Sequence, residues 1–255
     1  MLALLLVPVR PAQAEAPVVS VWYRGTPAGV PRQDDLALLR SLGFTAVSWP
    51  ADRSAAVPAL RRFAQAVGLR VLVEPDEPVA GSGAVVRSGQ GVRLRVDRVP
   101  ATHVSAHAWS ALARGAGVVS FDAGAADGHG VADPAGAERP WVRPALSFAR
   151  QVMANAVLFE GMAPGPPPLL ESAAASGGVV SLFAAPRTWV LIVTHTGQAV
   201  RTLTARFAPG VPYAIWTSLL DGSTMSMLSD PGGPQIALQL APGEVAVYFA
   251  DRGGP

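Results

Sequence analysis

The sequence predicts an α/β protein, with an incomplete or shortened (β/α) barrel-like domain followed by a small antiparallel β-sandwich. Two patterns support this fold class. In residues 17–161, short apolar runs alternate with helical patterns, whereas residues 179–251 show only strand patterns. Half of the 255 residues are hydrophobic and 15% are charged, a composition that excludes wholesale disorder.

The first part of the chain reads β-α-β-α-β. Its strand-like runs are nearly continuous in apolar residues, as in parallel sheets that helices cover. Gly43 and Gly68 provide the stops of the first two helices. Asp34 or Asp35 is expected to cap the first helix, and Ser54 the second. The predicted strands are VVSVWYRG (18–25), FTAVSWP (44–50) and RVLVEP (70–75).

The later part of this region is less regular. Residues 83–99 alternate apolar side chains with Arg93, Arg95 and Asp97, which predicts a half-exposed strand or hairpin. A helix (103–115), a strand (117–122) and a long helix (141–160) follow, and the long helix is expected to bury Met153 among other residues. Residues 162–178 read as a Pro/Gly/Ala linker. Six strands are predicted beyond it, near 179–185, 188–196, 200–208, 213–219, 235–241 and 244–250.

The N-terminus predicts export. An apolar run precedes Ala12-Gln13-Ala14, which fits an A-x-A cleavage site, so residues 1–14 are expected to be a signal peptide of a secreted or periplasmic protein. The alternative is a buried first strand. No other apolar run reaches the ~20 residues of a membrane span. The chain has no Cys, and its formal net charge of +2 does not indicate a nucleic-acid partner.

Several segments resemble TIM-barrel glycoside hydrolases, in particular the family 42 β-galactosidases. DDLALLRSLGFTAVSW is similar to the opening helix and strand of such barrels, and AWSALARGAGVVSFD to a late barrel segment. RPALSFARQVMANAVLFEGMAP resembles the closing barrel helix, and QIALQLAPGEVAVYFAD the last strands of the C-terminal β-domain of glycosidases and amylases. The resemblance implies a carbohydrate substrate and a pair of catalytic carboxyl groups.

The chain departs from that family in two ways. A complete (β/α)₈ barrel needs about 200–250 residues, more than residues 17–161 provide. The acid/base Glu of the related retaining enzymes follows an Asn, but the only Asn here, Asn155, precedes Ala156. The Asn-Glu motif is therefore missing, and catalytic competence is in doubt.

The best-placed carboxyl groups for hydrolysis are Glu74 and Asp122. Retaining hydrolysis needs two carboxyl groups about 5 Å apart, and in barrels they lie at the C-terminal ends of strands. Glu74 follows the third predicted strand and Asp122 ends a later one; Asp52, Asp76 and Asp97 are further candidates. The alternative is that these residues cap helices or lie in solvated turns.

The candidates for substrate binding also lie at strand ends. They are Trp22, Tyr23, Arg24, Trp49 and Asp76. Aromatic rings at a barrel mouth can stack on sugar rings, and Arg24 can bind hydroxyl groups. The alternative for the aromatic residues is packing between the sheet and the helices.

The sequence patterns typical of zinc hydrolases, nucleotide-binding proteins and serine hydrolases are absent. His103 and His107 are spaced i, i+4, but the HEXXH pattern is absent, so no metal site is predicted. Neither GxGxxG nor GxSxG is present, and no cofactor is expected.

Two functional hypotheses therefore remain. The protein is a secreted glycoside hydrolase-like protein that acts on or binds carbohydrate, or it is a non-catalytic glycan-binding or scaffold protein derived from a glycosidase. An open half-barrel would also leave sheet edges uncovered. The 83–99 hairpin or a second subunit in a homo-oligomer is expected to cover one.

Overall fold

The computed structural model describes most of the chain. The described residues are 16–75, 85–88, 91–124, 130–133, 135–166, 168–170, 177–209, 211, 215–228 and 231–252. Residues 1–14, the predicted signal peptide, lie outside them, as does part of the predicted linker.

Six strands form a curled, mostly parallel sheet. They are β1 (Val18–Trp22), β2 (Ala46–Pro50), β3 (Arg70–Glu74), β4 (Val85–Ser88), β5 (Gly91–Arg95) and β6 (Val118–Asp122). Their order is β3-β2-β1-β6-β5-β4; all neighbours are parallel except β4, which is antiparallel to β5. The predicted α/β fold class is confirmed, as an open sheet whose edges in the described structure are β3 and β4.

Helices cover one face of this sheet. They are α1 (Gln33–Leu42), α2 (Val57–Val67), α3 (Val104–Ala113), α4 (Val142–Ala154) and α5 (Ala156–Phe159), with 3₁₀ turns at Ala51–Ala56, Val96–Arg98 and Ala101–His103. Their buried side chains form one hydrophobic cluster with the outward residues of the strands, among them Val21, Val47 and Phe121. The strand residues that alternate with these face the concave side of the sheet.

The helix ends partly follow the prediction. Gly43 and Gly68 end α1 and α2 in the left-handed conformation, with φ of 107° and 74°. The predicted N-caps are wrong, because neither Asp34 nor Asp35 caps α1 by a side-chain bond and Ser54 lies inside the 3₁₀ turn before α2. Both acidic residues lie in the first turn of α1, where they favour the positive end of the helix dipole.

The second half of the chain forms two antiparallel sheets. Its strands are β7 (Ala163–Pro164), β8 (Leu169–Leu170), β9 (Gly178–Ala184), β10 (Thr188–His195), β11 (Arg201–Arg206), β12 (Ile215–Ser218), β13 (Thr224–Ser226), β14 (Gln235–Leu240) and β15 (Val245–Asp251). The orders are β13-β12-β15-β10-β9-β7 and β14-β11-β8. A separate core that includes Leu191, Val193, Trp216 and Ile236 lies between them, so the predicted sandwich is confirmed.

Helix α3 joins the two halves. It contacts β5 and β6 of the parallel sheet on one side and β9, β10 and β15 of the larger antiparallel sheet on the other. Eight of its ten residues are buried, which is typical of a helix enclosed on all sides. The first hydrophobic cluster accordingly continues into the sandwich through Phe183, Val190, Ile192 and Val247.

Three local predictions differ from the structure. Strand β5 is buried rather than half-exposed, and Arg93 is buried with it. The long helix is interrupted at Asn155, and Met153 is 41% exposed instead of facing inward. The 83–99 segment does form the expected hairpin, in which β4 covers the outer edge of β5. No helix in the described ranges is long and apolar enough to cross a membrane.

Candidate functional site

Three buried serines form a cluster on the concave face of the sheet. Ser20, Ser48 and Ser120 lie at the centres of β1, β2 and β6, and their Oγ atoms are 2.7–2.8 Å apart in all three pairs. Ser48 and Ser120 touch although β1 lies between their strands, so the sheet is strongly curled at this level. All three side chains are inaccessible to solvent.

The carboxyl group of Glu74, at the end of β3, joins this cluster. Both Ser48 and Ser120 donate to its Oε1 atom, Ser120 at 3.0 Å. The three serine hydroxyl groups have three protons, whereas the cluster contains five close oxygen–oxygen contacts. Each hydroxyl proton is therefore donated to an acceptor within the cluster. All three hydroxyl groups are also buried, so no substrate reaches them in this structure. The second oxygen, Oε2, is buried and has no hydrogen-bond partner in the described structure.

Asp122, the other predicted catalytic carboxyl, is held in an arginine cluster. Arg24 donates from Nη1 and Nη2 to its two oxygens, at 2.7 and 2.9 Å, and the Gly124 amide donates at 2.8 Å. Arg93 and Arg95 each place Nε 3.9 Å from Oδ2. Although burial acts to raise it, the Arg24 hydrogen bonds and the other positive charges hold the pKa of Asp122 below its ordinary value.

Two arginines of this cluster have further partners. Arg93 lies over the ring of Trp22, with Cζ 4.3 Å from the ring centroid, a cation–π contact in a fully buried environment. Arg95 is bound in a two-bond fork by Asp97, at 2.9 and 2.7 Å. Arg93 is therefore fixed from two directions, by the indole and by the charge of Asp122.

The aromatic residues predicted to bind sugar are all buried. Trp22 is 1% exposed beneath Arg93, so no ring face reaches solvent. Tyr23 and Trp49 lie in the hydrophobic cluster on the helix side of the sheet. The Tyr23 hydroxyl donates a hydrogen bond to Asp35 at 2.8 Å, and burial raises the pKa of Tyr23. In this structure these rings pack the core, which is the alternative raised by the sequence.

Arg24 is the predicted binding residue that remains partly accessible. Its side chain is 23% exposed, compared with 1% for Asp122. Its carbonyl oxygen accepts a 2.5 Å hydrogen bond from Nη1 of Arg53, which follows β2. Asp76, the last predicted binding residue, lies outside the described residues.

A cavity of about 270 Å³ adjoins this end of the sheet. It lies between the segments that follow β1 and β2, so it is at the C-terminal ends of the parallel strands, where α/β folds usually bind ligands. It is lined by Pro27, Ala28, Gly29, Arg53, Ala55 and Ala56. Arg53 gives it one charged group among small and apolar ones.

The histidines take part in no metal-binding cluster in the described part of the chain. His103 instead places Nε2 3.4 Å from the carbonyl oxygen of Gly197, and His195 places Nε2 2.6 Å from that of Ala199. Burial, together with the charges of His103 and Arg114, lowers the pKa of His107. Of these contacts, the one between His103 and Gly197 joins the two halves of the protein.

Glu74, Asp122 and Arg24, which the sequence places at strand ends, lie at the C-terminal edge of one sheet, but their partners were not predicted. The serines, Arg93 and Arg53 were not singled out. A signal for the serines is present, because each of three predicted parallel strands has a Val-Ser pair at its centre: VVSVW, AVSWP and VVSFD.

Comparisons with known proteins give only distant structural matches. No family profile matches the sequence, and neither does any curated protein. Among solved structures, a glycoside hydrolase family 30 subfamily 8 xylanase from Clostridium acetobutylicum is similar over 96% of this chain and 98% of its own, with 9% identity and a TM-score of 0.45.

Two further structures illustrate the range of the matches. A noncanonic maltogenic α-amylase from Thermotoga neapolitana is similar over 91% of this chain and 61% of its own, with 9% identity and a TM-score of 0.46. A β-L-arabinopyranosidase from Geobacillus stearothermophilus is similar over 85% of this chain and 60% of its own, with 10% identity and a TM-score of 0.40. None of these is a family 42 enzyme, and at these identities no residue role is carried over from them.

Proposed function

We propose that the protein binds carbohydrate at the C-terminal end of its parallel sheet and does not hydrolyse it. The observation that carries this proposal is the Arg24–Asp122 pair, in which both carboxylate oxygens already accept hydrogen bonds from one guanidinium. A nucleophilic carboxylate must reach the anomeric carbon of a bound sugar. Asp122 is 1% exposed and fixed by its partners, which does not suit that role.

The ligand site in this proposal is the cavity beside Arg53. Its volume of about 270 Å³ is just below the usual range of ligand pockets, about 300–1,000 Å³, and suits a single sugar unit. The Arg53 guanidinium offers donors to ring hydroxyls, while Pro27 and Ala55 offer apolar contacts to the C–H face of a ring. The carbohydrate class also follows the resemblance of the sequence to glycoside hydrolases.

Hydrolysis is the second candidate, and one observation favours it. Glu74 and Asp122 lie on the same concave face, since Glu74 binds Ser120, two residues before Asp122. The Oε2 atom of Glu74 lacks a hydrogen-bond partner in the described structure. The two carboxyl groups thus occupy different environments, which is the usual arrangement of an acid and a base.

One experiment separates these functions. Calorimetric titration of the full chain with xylo-, malto- and arabino-oligosaccharides should detect binding, and Arg53→Ala should weaken it at least tenfold. Arg61→Ala, on the exposed side of α2, is the matched control and should bind as the wild type does. Failure of every sugar to bind, or equal binding by the two variants, would overturn the proposed site.

The catalytic question is decided with aryl glycosides of the same sugars. The wild type should release no more aryl alcohol than Glu74→Gln does. Turnover that is lost in a folded Glu74→Gln variant would replace the binding function by hydrolysis. Export of the chain is a separate proposal, and it predicts that N-terminal sequencing of the mature protein begins after Ala14.

A further inference from the structure

The side chain of Arg53 is held in place beside the cavity that the proposed function assigns to a sugar. Its Nη1 atom donates a hydrogen bond to the carbonyl oxygen of Arg24, and its own carbonyl oxygen accepts one from the Trp49 indole at 3.1 Å. Gly29 lies against the side chain, since a Cβ atom there would be 3.4 Å from Cδ and 3.5 Å from Nη1 of Arg53. The guanidinium is therefore positioned by the protein itself.

No carboxylate neutralises Arg53 within the part of the chain that the structure describes. Arg53 is half-buried and forms no ion pair there. Asp52 precedes it, but its side chain is exposed and does not line the cavity. The charges of the neighbouring Arg24 and Asp122 cancel in their two-bond pair. The lining of the cavity thus carries one uncompensated positive charge.

An arginine in this situation is suited to a carboxylate. The guanidinium has five N–H donors in a planar fork, of which the bond to Arg24 uses one. Two parallel donors match the two oxygens of a carboxylate, and such charge-assisted hydrogen bonds are roughly twice as strong as neutral ones. A sulfate or phosphate group has a third oxygen, for which the lining of the cavity offers no second cation.

We infer that the sugar bound in this cavity is a uronic acid, whose carboxylate pairs with Arg53. The inference rests on the proposed function, because it names the class of sugar for the same cavity. The rest of the lining is small and apolar, namely Pro27, Ala28, Gly29, Ala55 and Ala56. It offers no side-chain partner to the hydroxyl groups of a neutral sugar, so the ion pair with Arg53 determines which sugar binds best.

Matched ligands test the charge of the sugar. Calorimetric titration of the full chain compares the methyl glycosides of glucuronate and galacturonate with their uronamides, which have nearly the same shape but no charge. Each uronate should bind at least tenfold more tightly than its uronamide. Sodium chloride at about 1 M should reduce this preference, because salt screens an accessible ion pair. Methyl glucoside 6-sulfate should bind more weakly than methyl glucuronoside.

A pair of variants tests the residue. Arg53→Gln keeps an amide donor but removes the positive charge, so the ratio of the uronate and uronamide affinities should fall close to one. Arg61→Gln removes the same charge from the exposed side of α2 and should keep the tenfold preference. Circular dichroism of both variants checks that each of them is folded.

Four results would overturn the inference. Equal affinity of the wild type for uronate and uronamide would overturn the uronic acid and leave the carbohydrate-binding function in place. A preference that survives in folded Arg53→Gln would place the carboxylate at another residue. Tighter binding of the 6-sulfate than of the uronate would replace the carboxylate by a sulfate. Failure of every sugar to bind would overturn the proposed function together with the inference.

Discussion

Arg24 donates two hydrogen bonds to Asp122 across the carboxyl edge of two neighbouring strands, β1 and β6. The carboxylate is fully buried, whereas the guanidinium is partly open to solvent. The pair therefore neutralises a buried charge at the point where a barrel enzyme would place a reactive carboxylate.

Arg24→Ala should destabilise the fold by about 3 kcal/mol, because it leaves a buried carboxylate without its two-bond partner. Arg93 and Arg95 remain near Asp122 and keep the loss from being larger. Urea unfolding followed by circular dichroism measures the change. Arg143→Ala, which removes an 88% exposed arginine from a surface ion pair, should cost less than about 1 kcal/mol. Equal losses in the two variants would contradict the assigned role.

Acid should weaken the protein through Asp122. Its pKa is lower in the folded state, so the unfolded chain binds the proton more readily and stability falls as the pH drops through the folded pKa. The stabilisation is complete above the ordinary pKa of an Asp, about 3.9. Urea midpoints between pH 2.5 and 6 should fall less steeply in Asp122→Asn than in the wild type. The exposed Asp34→Asn variant should follow the wild-type curve.

Ser120→Ala should cost about 1–2 kcal/mol, since it removes a buried hydroxyl that donates to Glu74 and contacts two other serines. Ser41→Ala, at an exposed position of α1, should change stability by about 0.5 kcal/mol or less. Thermal unfolding of both variants provides the comparison. A neutral Ser120→Ala variant would mean that the polar cluster contributes nothing to the curled sheet.

Gly243 lies at the contact between the two halves. A Cβ atom there would come within 2.4 Å of the Thr102 carbonyl oxygen, and its φ is +78°. Gly222 has nearly the same φ, +73°, but open space around it. Both changes to Ala incur the strain of a left-handed backbone, about 1–2 kcal/mol, and Gly243→Ala should lose about 1–3 kcal/mol more. Similar urea unfolding midpoints for the two variants would show that the two halves can move apart at this contact without loss of stability.

The helical and strand elements could be predicted because their signals are local. Glycines such as Gly43 and Gly68 mark helix ends by a backbone conformation that other residues avoid. Strand ends also placed Glu74 and Asp122 at one edge of a sheet. These inferences need only the periodicity of the chain and the rule that parallel strands end together.

The environment of those residues could not be predicted in the same way. Arg93 alternates with apolar neighbours and therefore reads as solvent-exposed, but Trp22 and Asp122 come from distant strands to bury it. The curl of the sheet brings Ser48 to Ser120, a contact that depends on all the intervening strands. The N-cap prediction for α2 was wrong because a 3₁₀ turn, Ala51–Ala56, precedes that helix and contains Ser54.

Helix α3 has a consequence for how the protein unfolds. Its buried residues belong to both halves at once, so removal of either half would expose an apolar helix face to water. Denaturation is therefore expected to be a single cooperative transition, with equal calorimetric and van't Hoff enthalpies. A mutation in the antiparallel sheet that contacts α3 should then loosen the distant Arg24–Asp122 pair as well, because the two halves share one unfolding equilibrium.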